Sequence, residues 1–497
     1  MRTDSLVAVD LFCGGGGFST ALALACEQLE RDARLIAINH WTKAIETHKR
    51  NHPWAEHHNA KVEELHPPAV VGKDDVDLLV GGPECTHFSS ARGGKPVNEQ
   101  KRASPWHVVD WVQKTRPKHL IIENVPELES WGPVDEDGKP SRNGETFEAW
   151  INALHSLGYS MDWDVLNAAD YGDATKRRRL FIVGQRNGRA TFPTPTHSKT
   201  PDEDTAPWRR AADILNHSHR GGSVWERSRP LSDNTMQRIA QGLREHCGDE
   251  VAAFADAIEE LTPDDVHQMQ EDIVAVDDLD SALVERTEPF FVAAPAVAAD
   301  GGSVAESETG TRMVMGQQSN ARALDADDAP VPTIATRGAI HYIEAEPFVK
   351  PRNGPRRGLH SNATYQPDER PLHTVTAKNH DGHLVSPFLV EYYGNSDTAS
   401  LSDPVPTVTT KDRHALCVPE LSPWGLDLRY RMLQPDELAA AQGFPPEYEF
   451  VGNKGETTEQ IGNAVPVNMA KALIENVLTD EAVSLTSFGN EEVPTDD

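Results

Sequence analysis

Apolar residues follow two alternating patterns over the first 190 residues of the chain. Short runs rich in Val, Ile and Leu predict buried strands, and longer amphipathic stretches between them predict helices. The predicted strands are 7–12, 34–39, 76–80, 119–123 and 179–183, and the predicted helices are 18–31, 41–52, 106–115 and 147–157. Strands separated by helices of this length predict an α/β fold with a doubly wound, Rossmann-like parallel sheet, in which ligands bind beyond the carboxyl ends of the strands.

The alternation stops near residue 190 and returns near residue 425. We therefore predict that residues 1–190 and 425–480 form one domain, which residues 191–424 interrupt with a second, partly β-rich domain. The returning part ends in a predicted helix over 467–478. Residues 481–497 are acidic and poor in apolar side chains, which predicts a disordered tail.

A nine-residue pattern occurs three times in the interrupting region. Residues 329–337, 370–378 and 403–411 align without gaps, and each copy has a short β-branched run followed by a polar turn. This texture predicts hairpin-like units over about 289–421. The copies end in Arg337, Lys378 and Lys411, and a histidine follows each within a few positions. The repeat serves either packing alone or a ligand-binding surface that presents these basic residues.

Composition limits the class of protein. The chain has 497 residues and a formal net charge of -31, enough for two or three domains. It has no apolar run of the roughly 18 residues that a membrane span needs, and the start of the chain has no secretion pattern, so we expect a soluble, cytoplasmic protein without a membrane partner. Five scattered cysteines form no CxxC pair, which argues against disulfides and against a metal site.

The negative charge is spread along the chain, and Arg outnumbers Lys about two to one. Such a charge repels phosphate backbones at low salt. In molar salt, screening over about 3 Å makes net charge unimportant beyond contact distance. We therefore predict a protein adapted to high salt, with an ordinary acidic protein as the alternative.

Residues 10–18, Asp-Leu-Phe-Cys-Gly-Gly-Gly-Gly-Phe, follow a predicted strand and open a predicted helix. Glycines at this junction permit positive φ angles and let a ligand approach the backbone amides at a helix N-terminus. The junction predicts a site for a nucleotide-like cofactor. A turn with a structural role alone remains the alternative.

Three further groups lie at predicted strand ends. Cys85 follows the strand 76–80 on a loop shaped by Gly and Pro, where a thiol is placed as an exposed nucleophile. Glu123 ends the next strand. The basic run 176–179 leads into the strand 179–183, which predicts a cleft wall facing an anion or a polar base, with a solvated charge cluster as the alternative.

Together with two blocks near the end of the chain, these motifs resemble the C5-cytosine DNA methyltransferase family. The resembling blocks are residues 10–18, 81–89, 121–125, 176–184, 433–445 and 460–466. The resemblance covers about residues 5–190 and 425–478. It implies a catalytic domain dependent on S-adenosylmethionine, interrupted by a target recognition domain over 191–424.

The resemblance also implies residue roles. The Cys85 thiolate adds to cytosine C6, and Glu123 hydrogen-bonds N3 and the exocyclic amine. Arg179, supported by Arg177, holds O2 and a phosphate, and Asn124 fixes the Cys85 loop. S-adenosylmethionine is expected at Asp10, Phe12, Gly14, Gly16, His40 and Asn463, and DNA at Ser89, Arg337, Lys378 and Lys411. The target nucleotide must leave the duplex for this attack.

Four positions depart from the family pattern. Glu84 replaces a Pro. A carboxylate so near Cys85 is expected to raise the pKa of the thiol unless the carboxylate points away or pairs with a basic group. Thr86 and Thr175 each replace a Gln. His40 lies where an acidic residue usually holds the ribose hydroxyls.

The expected partner is double-stranded DNA, read by a monomer, with a cognate restriction endonuclease as a further candidate. A methyltransferase acting on RNA is the first alternative, but its recognition region would be shorter than the roughly 235 residues between 191 and 424. A catalytically silent DNA-binding homologue and a nicotinamide oxidoreductase with the same kind of sheet are the others.

Overall fold

The computed structural model describes residues 5–83, 104–133, 141–247, 387–391, 398–422 and 425–484, and the shorter segments 255, 258, 264–267, 313–315, 323–325, 348–351 and 382–385. The strands are β1 Leu6–Leu11, β2 Ala33–Asn39, β3 Glu56–Asn59, β4 Leu78–Gly81, β5 His119–Asn124, β6 Ser160–Asn167, β7 Arg178–Gln185, β8 His197–Ser198, β9 Ala206–Pro207, β10 Gly222–Ser223, β11 Met313–Met315, β12 Ala323–Asp325, β13 Phe348–Pro351, β14 Gly382–Val385, β15 Phe388–Glu391, β16 Thr398–Ser400, β17 His414–Ser422 and β18 Gly425–Met432. The α-helices are α1 Gly17–Gln28, α2 Thr42–Asn51, α3 Pro67–Val71, α4 Ser104–Thr115, α5 Glu145–Ser156, α6 Asp233–His246, α7 Pro435–Ala441, α8 Lys454–Asn463 and α9 Val467–Ser484.

The chain divides into two compact units. Unit 1 consists of Met1–Ile214, Ser402–Asp412 and Gln434–Asp497, and unit 2 of Leu215–Leu401 and Arg413–Leu433. The chain passes between the units at residues 214, 402, 412 and 434. The division into a catalytic domain and a recognition domain with bounds near 190 and 425 stays a prediction. Residues 402–412 in particular belong to unit 1, although their sequence repeat suggested a place in the interrupting domain.

Unit 1 is built on a seven-stranded sheet in the order β3-β2-β1-β4-β5-β7-β6. The pairs from β3 to β5 are parallel, whereas β7 runs antiparallel to both β5 and β6. The α/β, Rossmann-like fold is confirmed, and within its sheet β7 departs from the predicted parallel arrangement. About ten residues join β6 to β7, fewer than the dozen or more that a crossover between parallel strands requires.

Apolar side chains of the sheet and its helices form the core of unit 1. All six residues of β1 and all six of β5 are buried, as expected for strands covered on both faces. Trp111 on α4 and Trp150 on α5 are among the largest completely buried side chains. Helix α1 packs against α9, so helices from the two ends of the described chain are neighbours in unit 1.

Unit 2 contains an antiparallel sheet in the order β10-β18-β17-β15-β16, and α6 packs on β15 and β16. A Cβ atom at Gly242 of α6 would overlap the ring of Phe388, so the helix and the sheet approach closely at this glycine. Ile239 and Leu243 on α6 and Tyr430 on β18 contribute to the same buried cluster.

The third copy of the sequence repeat does not form a hairpin, so that prediction is wrong for this copy. Residues 403–411 run extended along residues 174–177 of unit 1 and make one parallel bridge, between Val405 and Thr175. The other two copies lie outside the described residues. In the described part of the chain, no helix is both long and apolar enough to cross a membrane.

Candidate active site

The predicted catalytic residues that lie on the sheet meet at one edge, formed by the carboxyl ends of its parallel strands. Parallel strands β1, β4 and β5 end there, at Leu11, Gly81 and Asn124. Antiparallel β7 begins at this same edge, because Asn124 pairs with Leu180 and Glu123 with Phe181. The reversed direction of β7 therefore brings the start of this strand, with Arg179, to the carboxyl end of β5.

Glu123 and Arg179 form an ion pair. The Arg179 Nε atom lies 3.0 Å from Glu123 Oε1, and the two side chains are 17% and 11% exposed. Arg179 also donates from Nη1 to the carbonyl of Arg178 at 2.8 Å. A Cβ atom at Gly82 would lie 3.3 Å from Glu123 Oε2, so this glycine lets the loop after β4 pass close to the carboxylate. The pair thus lies directly beside the loop that continues to Cys85.

Asn124 holds the beginning of this loop. Its Nδ2 donates to the carbonyl of Pro83 at 3.1 Å, and its Oδ1 accepts from the backbone N–H of Val125 at 2.9 Å. Pro83 is the last residue described before the gap. Cys85 and Ser89, together with Glu84 and Thr86, lie outside the described residues, so their roles stay predictions.

The glycine junction has the conformation expected for a ligand-binding turn. Phe12, Gly14 and Gly16 have φ angles of 63°, 53° and 94°. Among the described residues, a Cβ atom at Gly14 would meet nothing nearer than the carbonyl oxygen of Phe12 at 3.8 Å. Gly17 is packed, because a Cβ atom there would overlap the carbonyl of Val465.

Asp10 lies beneath this turn and is 1% exposed. Its Oδ2 accepts from the Ser19 hydroxyl at 2.6 Å, and burial raises the pKa of Asp10 to about 7. The other carboxyl oxygen, Oδ1, is buried without a hydrogen-bond partner among the described residues. The positive φ angles at Phe12, Gly14 and Gly16 fit a turn that a cofactor such as S-adenosylmethionine approaches closely.

Two further predicted cofactor residues are surface residues. His40 directly follows β2 and Asn463 ends α8, and both side chains are exposed. Helix α8 does approach the turn, since a Cβ atom at Gly15 would lie 3.3 Å from Gln460 Cβ. The structure therefore brings the element of Asn463 to the turn, while the contacts of His40 and Asn463 with a cofactor stay predictions.

Arg177 is buried, and its Nη1 donates to the carbonyl of Val408 at 2.8 Å. Neighbouring contacts continue along the 402–412 segment: Lys176 Nζ lies 2.7 Å from Asp403 Oδ2, and the Thr175 hydroxyl donates to the carbonyl of Pro406 at 3.1 Å. Arg177 thus binds the chain's own backbone, two residues before Arg179. Sequence analysis placed Lys411 of this segment among the predicted DNA contacts but did not predict that the segment contacts residues 175–177.

Of the basic residues predicted to contact DNA, Lys411 lies in the described part of the chain. Its side chain is exposed near the end of the 402–412 segment. Arg337 and Lys378 lie outside the described residues. Among the described part of the chain, no group of three His, Cys, Asp or Glu side chains is arranged to hold a metal ion.

Comparison with known proteins decides the family. The sequence model described as C-5 cytosine-specific DNA methylase matches residues 6–479. The chain belongs to this family. The resemblance drawn from the six sequence blocks is thereby confirmed. The C-5 cytosine-specific DNA methylase match also covers the central region, which carries none of these blocks.

Individual relatives of this chain align over shorter stretches. It is 30% identical over 193 residues to the type II methyltransferase M.Sau3AI of Staphylococcus aureus, and 31% identical over 195 residues to the type II methyltransferase M.AgeI of Thalassovita gelatinovora. These alignments cover 37% and 38% of this chain and 44% and 42% of the relatives, so the chain matches less than half of each relative's length. A solved DNMT2 mutant of Spodoptera frugiperda aligns over 95% of this chain and 100% of its own, with 14% identity and a TM-score of 0.44, too distant to support an argument.

Proposed function

We propose that this protein transfers a methyl group from S-adenosylmethionine to C5 of cytosine in a specific sequence of double-stranded DNA. The observation that carries the proposal is the ion pair between Glu123 and Arg179, 3.0 Å apart at the carboxyl edge of the sheet. It lies beside the loop that Asn124 fastens at Pro83 and that continues to Cys85.

A carboxyl group and a guanidinium held side by side match the polar edge of cytosine. Arg179 can donate to O2, while Glu123 can accept from the exocyclic amine and protonate N3. Thymine has a carbonyl in place of that amine, so Glu123 would find no donor there. Thymine N3 already carries a proton, so Glu123 could not protonate it. The pair therefore both selects cytosine and makes its ring electrophilic.

The proposed chemistry begins at Cys85. Its thiolate forms a bond to C6 as N3 takes a proton from Glu123 in its neutral carboxylic acid form, which leaves C5 electron-rich. Glu123 must therefore take up a proton before this step. When bound, S-adenosylmethionine would supply the methyl group to C5, and its sulfonium sulfur would keep the electron pair of the broken S–CH3 bond and leave as a neutral thioether. C5 then loses its proton to a base, the bond between sulfur and C6 breaks, and the proton on N3 returns to Glu123.

Phe12, Gly14 and Gly16 of the glycine turn would hold the cofactor at the end of β1, together with the nearby Asp10. His40 and Asn463 are the proposed contacts from β2 and α8. Asn124 acts on the other reactant, because its bond to Pro83 fixes the direction in which the Cys85 loop leaves β4.

DNA recognition is proposed for the interrupting region, with Ser89 and the basic residues Arg337, Lys378 and Lys411 among the contacts. Since C6 is inaccessible inside a duplex, the target nucleotide must flip into the site. We further propose a cytoplasmic monomer that modifies the site of a cognate restriction endonuclease.

Covalent trapping tests this proposal. DNA in which 5-fluorocytosine replaces cytosine should form an adduct with Cys85 in the presence of S-adenosylmethionine, because fluorine cannot leave C5 as a proton does. Replacing Glu123 by Gln should slow adduct formation and methylation by about 10² to 10⁴, since the amide cannot protonate N3. The matched control is Glu129→Gln, an exposed carboxylate on the turn after β5. An adduct at another residue, or a Glu123→Gln variant of unchanged rate, would contradict the proposal.

A further inference from the structure

Two carbonyl groups of the glycine turn accept hydrogen bonds from hydroxyl groups behind it. The Tyr448 hydroxyl donates to the carbonyl of Gly15 at 2.6 Å, and the Thr20 hydroxyl donates to the carbonyl of Gly16 at 2.7 Å. A peptide unit is planar, so a fixed carbonyl also fixes the N–H of the next residue, which points the opposite way. The Gly16 N–H donates to the carbonyl of Cys13 at 2.9 Å, and the Thr20 N–H donates to the carbonyl of Gly16 at 2.8 Å. The two hydroxyl bonds therefore add to these backbone bonds and help to hold the shape of the turn.

Both hydroxyl groups also face one histidine nitrogen. His52 Nε2 lies 3.2 Å from the Thr20 hydroxyl oxygen and 3.5 Å from that of Tyr448. A hydroxyl has a single proton to donate, and here each donates it to a turn carbonyl. Two hydroxyls that both donate to turn carbonyls can only accept from His52, and this arrangement has the proton of His52 on Nε2. A proton on Nδ1 belongs to the alternative in which a hydroxyl donates to Nε2 instead.

His52 is held where it can make these contacts. It is 4% exposed, and its backbone N–H donates to the carbonyl of His48 at 2.8 Å, at the end of α2. Its ring lies 4.7 Å from the ring of His48 and 5.8 Å from that of Tyr448, measured between centroids. Neighbouring rings on both sides leave the imidazole little freedom to turn away.

Tyr448 is fastened to the same helix end. Asn51 donates from Nδ2 to the carbonyl of Glu449 and accepts from its N–H, each at 2.9 Å. The Val451 N–H donates to the Thr47 hydroxyl at 2.9 Å. Burial raises the pKa of Tyr448, so its hydroxyl keeps the proton that it donates to Gly15. Helix α2 and the segment 448–451 thus form one support behind the turn.

We propose that His52 is a positioning residue for cofactor binding: its Nε2–H holds the Thr20 and Tyr448 hydroxyls on the carbonyls of the glycine turn. This inference rests on the proposed function, because it assigns the turn to S-adenosylmethionine. Gly16 leaves room for these contacts, since a Cβ atom there would overlap the Tyr448 hydroxyl and lie 3.3 Å from His52 Nε2. No part of His52 needs to touch the cofactor.

The test compares two substitutions at one position. His52→Gln keeps an N–H donor near the place of Nε2, whereas His52→Leu removes it. Isothermal titration calorimetry with S-adenosylmethionine should give a Kd about tenfold higher for His52→Leu, while His52→Gln recovers most of the affinity. In steady-state methylation, the His52→Leu change should raise KM for S-adenosylmethionine more than it lowers kcat. Tyr448→Phe, which removes one hydroxyl, should weaken binding in the same direction and serves if His52→Leu does not fold.

Nitrogen chemical shifts of His52 provide a readout independent of activity, because they distinguish a proton on Nε2 from one on Nδ1. A proton on Nδ1 would overturn the inference, and so would equal losses of affinity for the Gln and Leu variants or no loss for Leu. Failure of the wild-type protein to bind S-adenosylmethionine would instead overturn the proposed function. His66→Gln, an exposed histidine before α3, is the matched control and should bind as the wild type does.

Discussion

Acidification should destabilise unit 1 through His52. Burial first, and repulsion from His57 second, lower the pKa of His52 from 6.5 to about 4. A group whose pKa is lower in the folded state opposes folding once the unfolded chain takes up its proton. The contribution of His52 is therefore complete above pH 6.5 and is lost as the pH falls towards 4.

The size of this loss follows from the two pKa values. At about pH 4.5 the unfolded chain carries the proton almost fully, whereas about a quarter of folded molecules carry it. The resulting loss of unfolding free energy between about pH 7.5 and pH 4.5 is about 2.5 kcal/mol. The Gln side chain in His52→Gln does not titrate, so this variant lacks the loss of unfolding free energy that His52 causes.

Native-state hydrogen exchange of amides in β1 and α2 reports the opening free energy of unit 1. We expect the wild type to lose about 2.5 kcal/mol relative to His52→Gln over that pH range, in molar KCl. The comparison is necessary because burial raises the pKa of Asp10 to about 7 and that of Asp173 to about 8. Protonation of these carboxyls stabilises the fold at low pH, and subtraction removes their shared contribution. A difference that stays constant with pH would refute the reasoning, and His66→Gln should show no such difference from the wild type.

Three further predictions concern other parts of the chain. Reversing one charge with Lys176→Glu should lower the free energy of unfolding by about 1 kcal/mol or less, as expected for a partly exposed ion pair. Adding Asp403→Lys should restore the stability in thermal unfolding, and no recovery would contradict the pairing. Removing salt should unfold the protein, because the screening length grows to about 30 Å and the net charge of -31 then repels across the fold; a Tm independent of KCl would disprove salt adaptation. Replacing Arg337, Lys378 and Lys411 together by Ala should weaken DNA binding or change the methylated sequence; if a folded variant leaves both unchanged, the repeat has a structural role alone.

Sequence periodicity located most of the sheet of unit 1 but missed two strands. β3 reads Glu-His-His-Asn and has no apolar run, because it lies at the sheet edge with its side chains partly exposed. β6, at the other edge, carries Asp162, Trp163 and Asp164 on a largely exposed stretch. Edge strands bury too little to show the pattern that identifies central strands such as β1.

Local sequence patterns also could not predict the direction of a strand or the contacts between residues far apart in the chain. The motifs located Glu123 and Arg179 but not the antiparallel course of β7, which depends on the short link after β6. The docking of Val408 on Arg177 joins residues far apart in the chain, and no local period encodes it. His52 and Tyr448 were missed for the same reason, since neither lies in a recognised motif near the turn that they support.

Nucleoside analysis of DNA from cells that express the protein tests the central claim most directly. We predict that mass spectrometry finds 5-methyl-2′-deoxycytidine, that sequencing places it in one defined sequence context, and that Cys85→Ser abolishes it. Methylation at another atom, methylation of RNA alone, or an undiminished product with the Ser variant would contradict the account.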